Sequence, residues 1–431
     1  MEESTDLYNL FYNIDRDLIT VFSRRLIHTF IFPLTLPVSS GVIAGAFSYM
    51  FSSPAPDPNN LAFLSIQLYL LISLHKTNNP FTGVLGSLFE EHESPVTFEP
   101  SRVYYVLIGS IEDETTSLIL YLLMIHNDSF KEYIFSLTDP SELILPLLKF
   151  MYECTPSCEN KYQQQLVSAT FLMCMGGEEL IKNLQKKMIQ PFPWFQGRLF
   201  HQLPLSEFVI HVLLKIITSN LSEPRDQYMY SICLSSLINM SHYISDIQAL
   251  LAQKIFALIE YVNKKLIKLG QSNSIEREVK LQGISIYEEL LFLLMEFVLI
   301  NVKLKTNGST QLVYALLQYK EFLAQFVSHP SLGNIMATSI EVVKYFEKCI
   351  SDADLSVHPS IEELSDLIFR EVLTWQPDIL ENVSCHQFMY TSDLDLRDYF
   401  KAILWVSIST RITSSLDSES LYESVMKQWG Y

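Results

Sequence analysis

The chain is 431 residues long, 48% apolar and only 18% charged, and its 48 acidic against 30 basic side chains leave a net charge of −18. That balance excludes a disordered chain and argues against nucleic acid as a ligand: so acidic a surface repels a phosphate backbone, and no Arg-rich stripe with interleaved aromatics offsets it. Thirteen glycines are few for this length, which disfavours sandwiches and Rossmann-type domains rich in tight turns.

The amino terminus, Met1 to Asp6, is acidic and has no apolar core of the signal-peptide type. Residues 5–32 carry Leu7, Leu10, Phe11, Ile14, Leu18 and Phe22 at helical spacing, with the basic pair Arg24-Arg25 behind them. Phe30–Phe51 is then free of charge for 22 residues and contains Gly41-x-x-x-Gly45, a packing motif of membrane helices. Against a span, Pro33 and Pro37 break its first half and leave about 14 residues of clean helix, the length of a buried soluble one. Pro54, Pro56 and Pro58 stiffen a linker. Residues 1–60 thus form an amphipathic and apolar leader segment, followed by a helical-repeat region over 61–350 and a helical C-terminal segment over 351–431 with a loose tail.

Leu61–Leu74 reads as a short, nearly all-apolar helix, and Lys76–Arg102 as a loop with a short helix at most. Paired helices follow. Ser117–His126, Phe130–Leu137 and Glu142–Tyr152 are separated by Asn127-Asp128-Ser129 and by Asp139-Pro140, a cap-like start. Tyr162–Met175 ends at Gly176-Gly177, and Glu178–Ile189 is its amphipathic partner. An aromatic, proline-rich loop around Trp194 leads to the helix Leu205–Asn220. Then comes Pro224–Ser241, apolar over most of its circumference and therefore buried between neighbours. Its thin polar stripe, Gln227, Ser231, Ser235 and Asn239, marks the inner helix of a stacked array with that stripe facing a protein-binding groove. Further helices are expected at Ser245–Leu269, Ile284–Val302, Thr310–Phe326, Gly333–Ile350, Ile361–Trp375 and Leu396–Ser409, with linkers at 271–280 and 351–360. Segments of inner-helix character recur near 117–126, 164–175, 228–241 and 310–319. The fold class is therefore all-α, a divergent armadillo/HEAT-like helical solenoid.

Chemistry is sparse. Cys154-x-x-x-Cys158 has no second pair at ligand spacing, so the six cysteines read as free thiols of a reducing compartment rather than as a zinc site. The sequons at Asn127, Asn220, Asn239, Asn307 and Asn382 read as chance, Asn239 lying inside a helix. Glu90-Glu91-His92-Glu93 lacks the spacing that puts two imidazoles on one helical face, and Gly83-x-x-Gly86-Ser87 lacks the lysine of a phosphate loop. His329, before Pro330, suits a helix cap better than catalysis. Lys264, Lys265 and Lys268 read as a solvated helix face, with lipid headgroups as the alternative. No catalytic residue, cofactor, metal or small-molecule ligand is expected.

Two blocks carry a family resemblance. The first is Pro224-Arg225-Asp226-Gln227-Tyr228 with Cys233-Leu234-Ser235-Ser236-Leu237-Ile238-Asn239-Met240-Ser241, continuing through Leu250 to Ile255. The second is Leu312-Val313-Tyr314-Ala315-Leu316-Leu317 with Phe326 and His329-Pro330-Ser331. Together with Ser39–Gly45 they resemble the dymeclin family over roughly residues 35 to 350, a pattern-level match. The resemblance implies a peripheral cytoplasmic protein of the Golgi, a scaffold binding Golgi or trafficking proteins, and no enzyme. Glu2 stands where the family's myristoylated glycine is expected, so that anchor does not carry over and the chain reads as a short or N-terminally truncated member. An integral protein anchored by residues 30–51 is the alternative.

Overall fold

Apolar stripes broad enough to need neighbours on two sides, punctuated by capping residues, make this chain a layered array of helices. The computed structural model describes residues 14–34, 61–74, 80–90, 96–155, 161–190, 192–197, 202–221, 226–244, 247–271, 277–304, 309–353, 360–375, 378–381, 383 and 387–390. The helices are α1 (Arg16–Leu34), α2 (Leu61–Ser73), α3 (Pro80–Gly86), α4 (Pro100–Gly109), α5 (Glu114–His126), α6 (Asp128–Phe135), α7 (Ser141–Cys154), α8 (Lys161–Cys174) and α9 (Glu178–Lys186). After a two-residue antiparallel clasp of β1 (Met188–Ile189) and β2 (Leu203–Pro204) come α10 (Leu205–Asn220), α11 (Gln227–Ser241), α12 (Ala249–Gln271), α13 (Arg277–Lys303), α14 (Ser309–Gln318), α15 (Lys320–Ala324), α16 (Gly333–Asp352) and α17 (Ile361–Thr374). A single 3-10 turn, Asp378–Leu380, follows.

Two rows of helices define the middle of the array. In one row α5 packs on α8, α8 on α11 and α11 on α13; in the other α7 packs on α10 and α10 on α12. The rows join through α7 against α8, α10 against α11 and α12 against α13. Of the short helices, α9 flanks the second row against α10, and α6 packs on α5 of the first row, on α4 and on α9. The all-α expectation holds among the described residues, whose only strands are the clasp. The core runs unbroken from Ile19 to Leu380 through both rows.

Starts and stops follow local chemistry. The Asp113 carboxylate accepts from the amides of Thr115 at 2.9 Å and Thr116 at 3.3 Å, capping α5. Ser360 and Glu363 form a reciprocal capping box at α17. His329 holds the turn ahead of α16 and does not cap the helix itself: its Nδ1 accepts from the amides of Ser331 and Leu332 at 3.3 and 3.4 Å, while the N-cap position, Leu332, has no side-chain cap bond.

Several boundaries differ from the sequence expectation. Thr310–Phe326 is two helices, because Tyr319 leaves helical geometry (φ −100°, ψ 14°) with its ring 5.0 Å from that of Phe256. The polar stretch 271–280 is not all linker, since α13 begins at Arg277. Glu178–Ile189 stops as a helix at Lys186, where the clasp takes over. The fourth member of the first row is α13; α14 instead packs on α12, α13, α16 and α17. The expected helix Leu396–Ser409 and the tail from Ser414 lie outside the described residues.

The apolar run Phe30–Phe51 begins inside α1, where Phe30 and Ile31 are buried in the protein core against α2. Its remainder, from residue 35, lies outside the described residues. Among the described residues no helix is long and apolar enough to cross a membrane. Arg24, which would flank a span, is instead buried, donating to the carbonyls of Ser87 at 3.3 Å and Val96 at 3.1 Å beneath the Phe98 ring.

Candidate interaction groove

Helix α11 is positioned from its first residue. The Asp226 carboxylate accepts from the Met229 amide at 3.3 Å, and Asn220 clamps the turn by donating to the Asp226 carbonyl at 2.6 Å and accepting from its amide at 3.1 Å. Lys161 of α8 reaches Asp226 at 3.5 Å. The Tyr228 hydroxyl donates to the Gln165 carbonyl at 3.1 Å, and the Ser168 hydroxyl to Met229 Sδ at 3.3 Å, so α8 and α11 are cross-linked along their lengths. Twelve residues of α11 are buried, including Cys233, Leu234, Leu237, Ile238 and Met240, as its nearly all-round apolar pattern requires.

The four stripe residues do not share one environment. Gln227 is exposed and Ser231 half-exposed, whereas Ser235 and Asn239 are buried, at 7% and 0% exposure. Asn239 is covered by the chain itself. Its Nδ2 donates to the Phe388 carbonyl at 2.9 Å and its Oδ1 accepts from the Phe388 amide at 2.7 Å. One side-chain amide thus satisfies both backbone groups of an extended residue, as a neighbouring strand would. The expectation of an open groove along the whole stripe therefore needs correcting at its Asn239 end, which holds residues 387–390.

That short stretch is fixed from two helices and the turn after α11. The Tyr390 hydroxyl lies 3.0 Å from the Tyr121 hydroxyl of α5, with the rings edge to face at 5.9 Å. Gln387 donates to the Tyr243 hydroxyl, just past α11, at 3.3 Å. Upstream, Lys303 at the end of α13 donates to the carbonyls of Val383 at 2.9 Å and Glu381 at 3.4 Å. No element is expected from the sequence between Trp375 and Leu396. The available signal was the alternation in Gln387-Phe388-Met389-Tyr390, aromatic at every second position, which is the pattern of an extended segment lying on a surface.

No group of three or more metal-ligating side chains occurs among the described residues. One buried polar cluster does. In α10 the Glu207 carboxylate lies 3.5 Å from His211 Nε2, and Lys254 of α12 lies 3.2 Å from His211 Nδ1. Burial pushes the His211 imidazole below its ordinary value, with Glu207 opposing and Lys254 reinforcing; burial likewise lowers Lys254. Both Glu207 and His211 are almost wholly enclosed, so the cluster is a feature of the core. The sequons Asn127, Asn220 and Asn239 are all buried, which removes them as glycan acceptors.

Comparison with known proteins matches most of the chain, α11 included. The family model described as "Dymeclin: Dyggve-Melchior-Clausen syndrome protein" matches residues 25–407. Mouse (Mus musculus) dymeclin is 23% identical over 386 residues, covering 84% of this chain and 57% of its own length. Drosophila melanogaster dymeclin is 23% identical over 431 residues, covering 95% of this chain and 60% of its own. A third, from Dictyostelium discoideum, is 27% identical over 238 residues, covering 52% of this chain and 25% of its own. The chain thus spans less than two thirds of the length of these relatives. No solved structure matches it. A helical array whose family match embraces both α11 and the segment lying on it identifies the chain as a member of the dymeclin family.

Proposed function

We propose that the protein is a non-enzymatic scaffold or adaptor of the Golgi, supporting Golgi organisation and vesicle traffic by binding Golgi or trafficking proteins. Membership of the dymeclin family supports the cellular setting. The binding role is carried by one observation: the surface over α11 already holds an extended polypeptide through Asn239, while Gln227 and Ser231 stay accessible beside it. A face that satisfies backbone groups recognises protein. Attachment to the Golgi is peripheral, from the cytoplasmic side, with no cofactor or small-molecule ligand.

The test is imaging of a tagged chain against a Golgi marker, followed by an alkaline carbonate wash of the membranes. Golgi colocalisation with release into the wash is expected. A diffuse distribution would refute the Golgi assignment, and retention in the pellet would refute peripheral attachment. Affinity capture with Gln227→Lys plus Ser231→Lys then probes the accessible half of the stripe. Lysine at Ser235 or Asn239 would disturb the core instead. An unchanged set of captured partners removes this face from the binding surface.

A further inference from the structure

We propose that the site over α11 is a receptor for extended polypeptide with an aromatic-x-aromatic pattern, of which residues 387–390 are the occupant in cis, displaced when a partner presents such a stretch. The inference rests on the scaffold reading and specifies the chemistry of its ligand.

Three features separate this contact from ordinary loop packing. First, Asn239 reads main chain only: its amide donates to one carbonyl and accepts from one amide of the same residue. Any extended residue satisfies it equally, whatever its side chain. Second, selectivity comes from the flanking positions. The Phe388 and Tyr390 side chains pack on the core, and Tyr390 meets the Tyr121 hydroxyl and ring edge. The residue between them, Met389, is 78% exposed and is not read. Side chains alternating in and out across backbone hydrogen bonds are the signature of a bound extended peptide.

Third, the segment can leave without unravelling the array. The chain just before it is anchored separately: Leu380 is fully buried, Trp375 stacks on Tyr345 with ring centroids 4.7 Å apart, and Lys303 holds the carbonyls of Glu381 and Val383. Residues 387–390 belong to no helix or strand, so their release breaks no helical ladder. Asn239 would lose its partner on release, and burying an unpartnered amide is unfavourable. The vacated site therefore favours refilling, by the same segment or by a partner's backbone.

A tethered occupant competes at an effective concentration on the order of millimolar. It should therefore weaken binding of an identical free peptide by roughly ten- to a hundred-fold when the intrinsic dissociation constant is on the order of 10–100 μM. The experiment uses a fluorescein-labelled peptide copying residues 386–392, titrated by anisotropy against the full chain and against the full chain carrying Phe388→Ala and Tyr390→Ala. Binding at least tenfold tighter to the double variant is expected. Adding Asn239→Ala, or changing the peptide's second aromatic to alanine, should each reverse that gain. A double variant that melts cooperatively yet binds no better than wild type overturns the proposal.

Hydrogen exchange on the unmodified chain tests the same idea independently if the double variant fails to fold. The Phe388 amide should exchange at least a hundredfold faster than the central amides of α11, through local release. Exchange only at the rate of those amides would make the segment part of the core and overturn the proposal. Failure in either arm leaves the Golgi localisation and carbonate results untouched, so the two readings fail separately.

Discussion

Replacing Asn127 by alanine should be among the most destabilising single changes outside the apolar core. Asn127 ends α5 and caps α6, its Oδ1 accepting from the Phe130 amide at 2.8 Å. Its Nδ2 donates to the carbonyls of Leu85 at 2.7 Å and Gly86 at 2.9 Å at the C-terminal end of α3, where the other partner of the Leu85 carbonyl is the Leu88 amide at 3.4 Å. The side chain is buried, and a Cβ on Gly86 would sit 3.2 Å from the His126 carbonyl, so there is little room for solvent to substitute. Loss of an N-cap costs about 1 kcal/mol. Leaving the Gly86 carbonyl unsatisfied, and the Leu85 carbonyl with only its long bond from Leu88, adds about 1–3 kcal/mol. The expected total is about 3 kcal/mol, read as a lower urea midpoint at unchanged slope by circular dichroism. Asn127→Asp separates the parts: it keeps the cap acceptor and loses both donors, so it should be destabilising even though an aspartate caps α5. A loss below about 1 kcal/mol for alanine would show that the junction of α3, α5 and α6 does not depend on this amide.

Four further outcomes are expected. Stability should fall as pH drops below 6.5, because His211 is held neutral in the fold while its unfolded counterpart takes up a proton near that value; His211→Gln should flatten the slope of urea midpoint between pH 7.5 and 5.5. Cys174 and Cys233 should resist iodoacetamide in the native chain and react in urea, read by mass spectrometry, since both are fully buried and burial pushes both thiols up, Cys174 to about 12. Gly333→Ala should destabilise by about 1–3 kcal/mol in a thermal melt, because its Cβ would lie 2.6 Å from the Val327 carbonyl, a backbone atom that cannot rotate away. Asp226→Ala should cost about 1 kcal/mol by the same melt, as the cap of α11.

Helix positions were legible where pattern and punctuation agreed. Leu205–Asn220 is bounded by Pro204 and by the polar turn after Asn220, and the structure places α10 on those residues. The inner character of α11 follows from apolar side chains around most of its circumference. Legibility failed where tertiary contacts decide. Tyr319 breaks a helix whose local sequence could continue, because its ring packs on Phe256 from a helix some sixty positions away. The place of α13 in the row was not legible because three glutamates, Glu288, Glu289 and Glu296, interrupt its apolar pattern, and burial of Glu296 is set by tertiary packing. The candidate groove was half legible. Periodicity placed Gln227, Ser231, Ser235 and Asn239 on one face, but only a contact 149 positions along the chain reveals what Asn239 holds.

The clasp between Met188–Ile189 and Leu203–Pro204 has a practical consequence for handling the protein. By pairing Met188 with Pro204 and Ile189 with Leu203, it fixes the two ends of the intervening stretch side by side. Chain added between paired ends changes closure entropy only slowly with length, so α9 and α10 need not feel it. The rings of Phe192, Trp194 and Phe195 pack against Tyr152 and Phe208 and must be kept, but Gln196 and Gly197 beyond them are exposed. Insertion after Gly197 is therefore the place for an internal epitope or fluorophore that leaves both chain ends native.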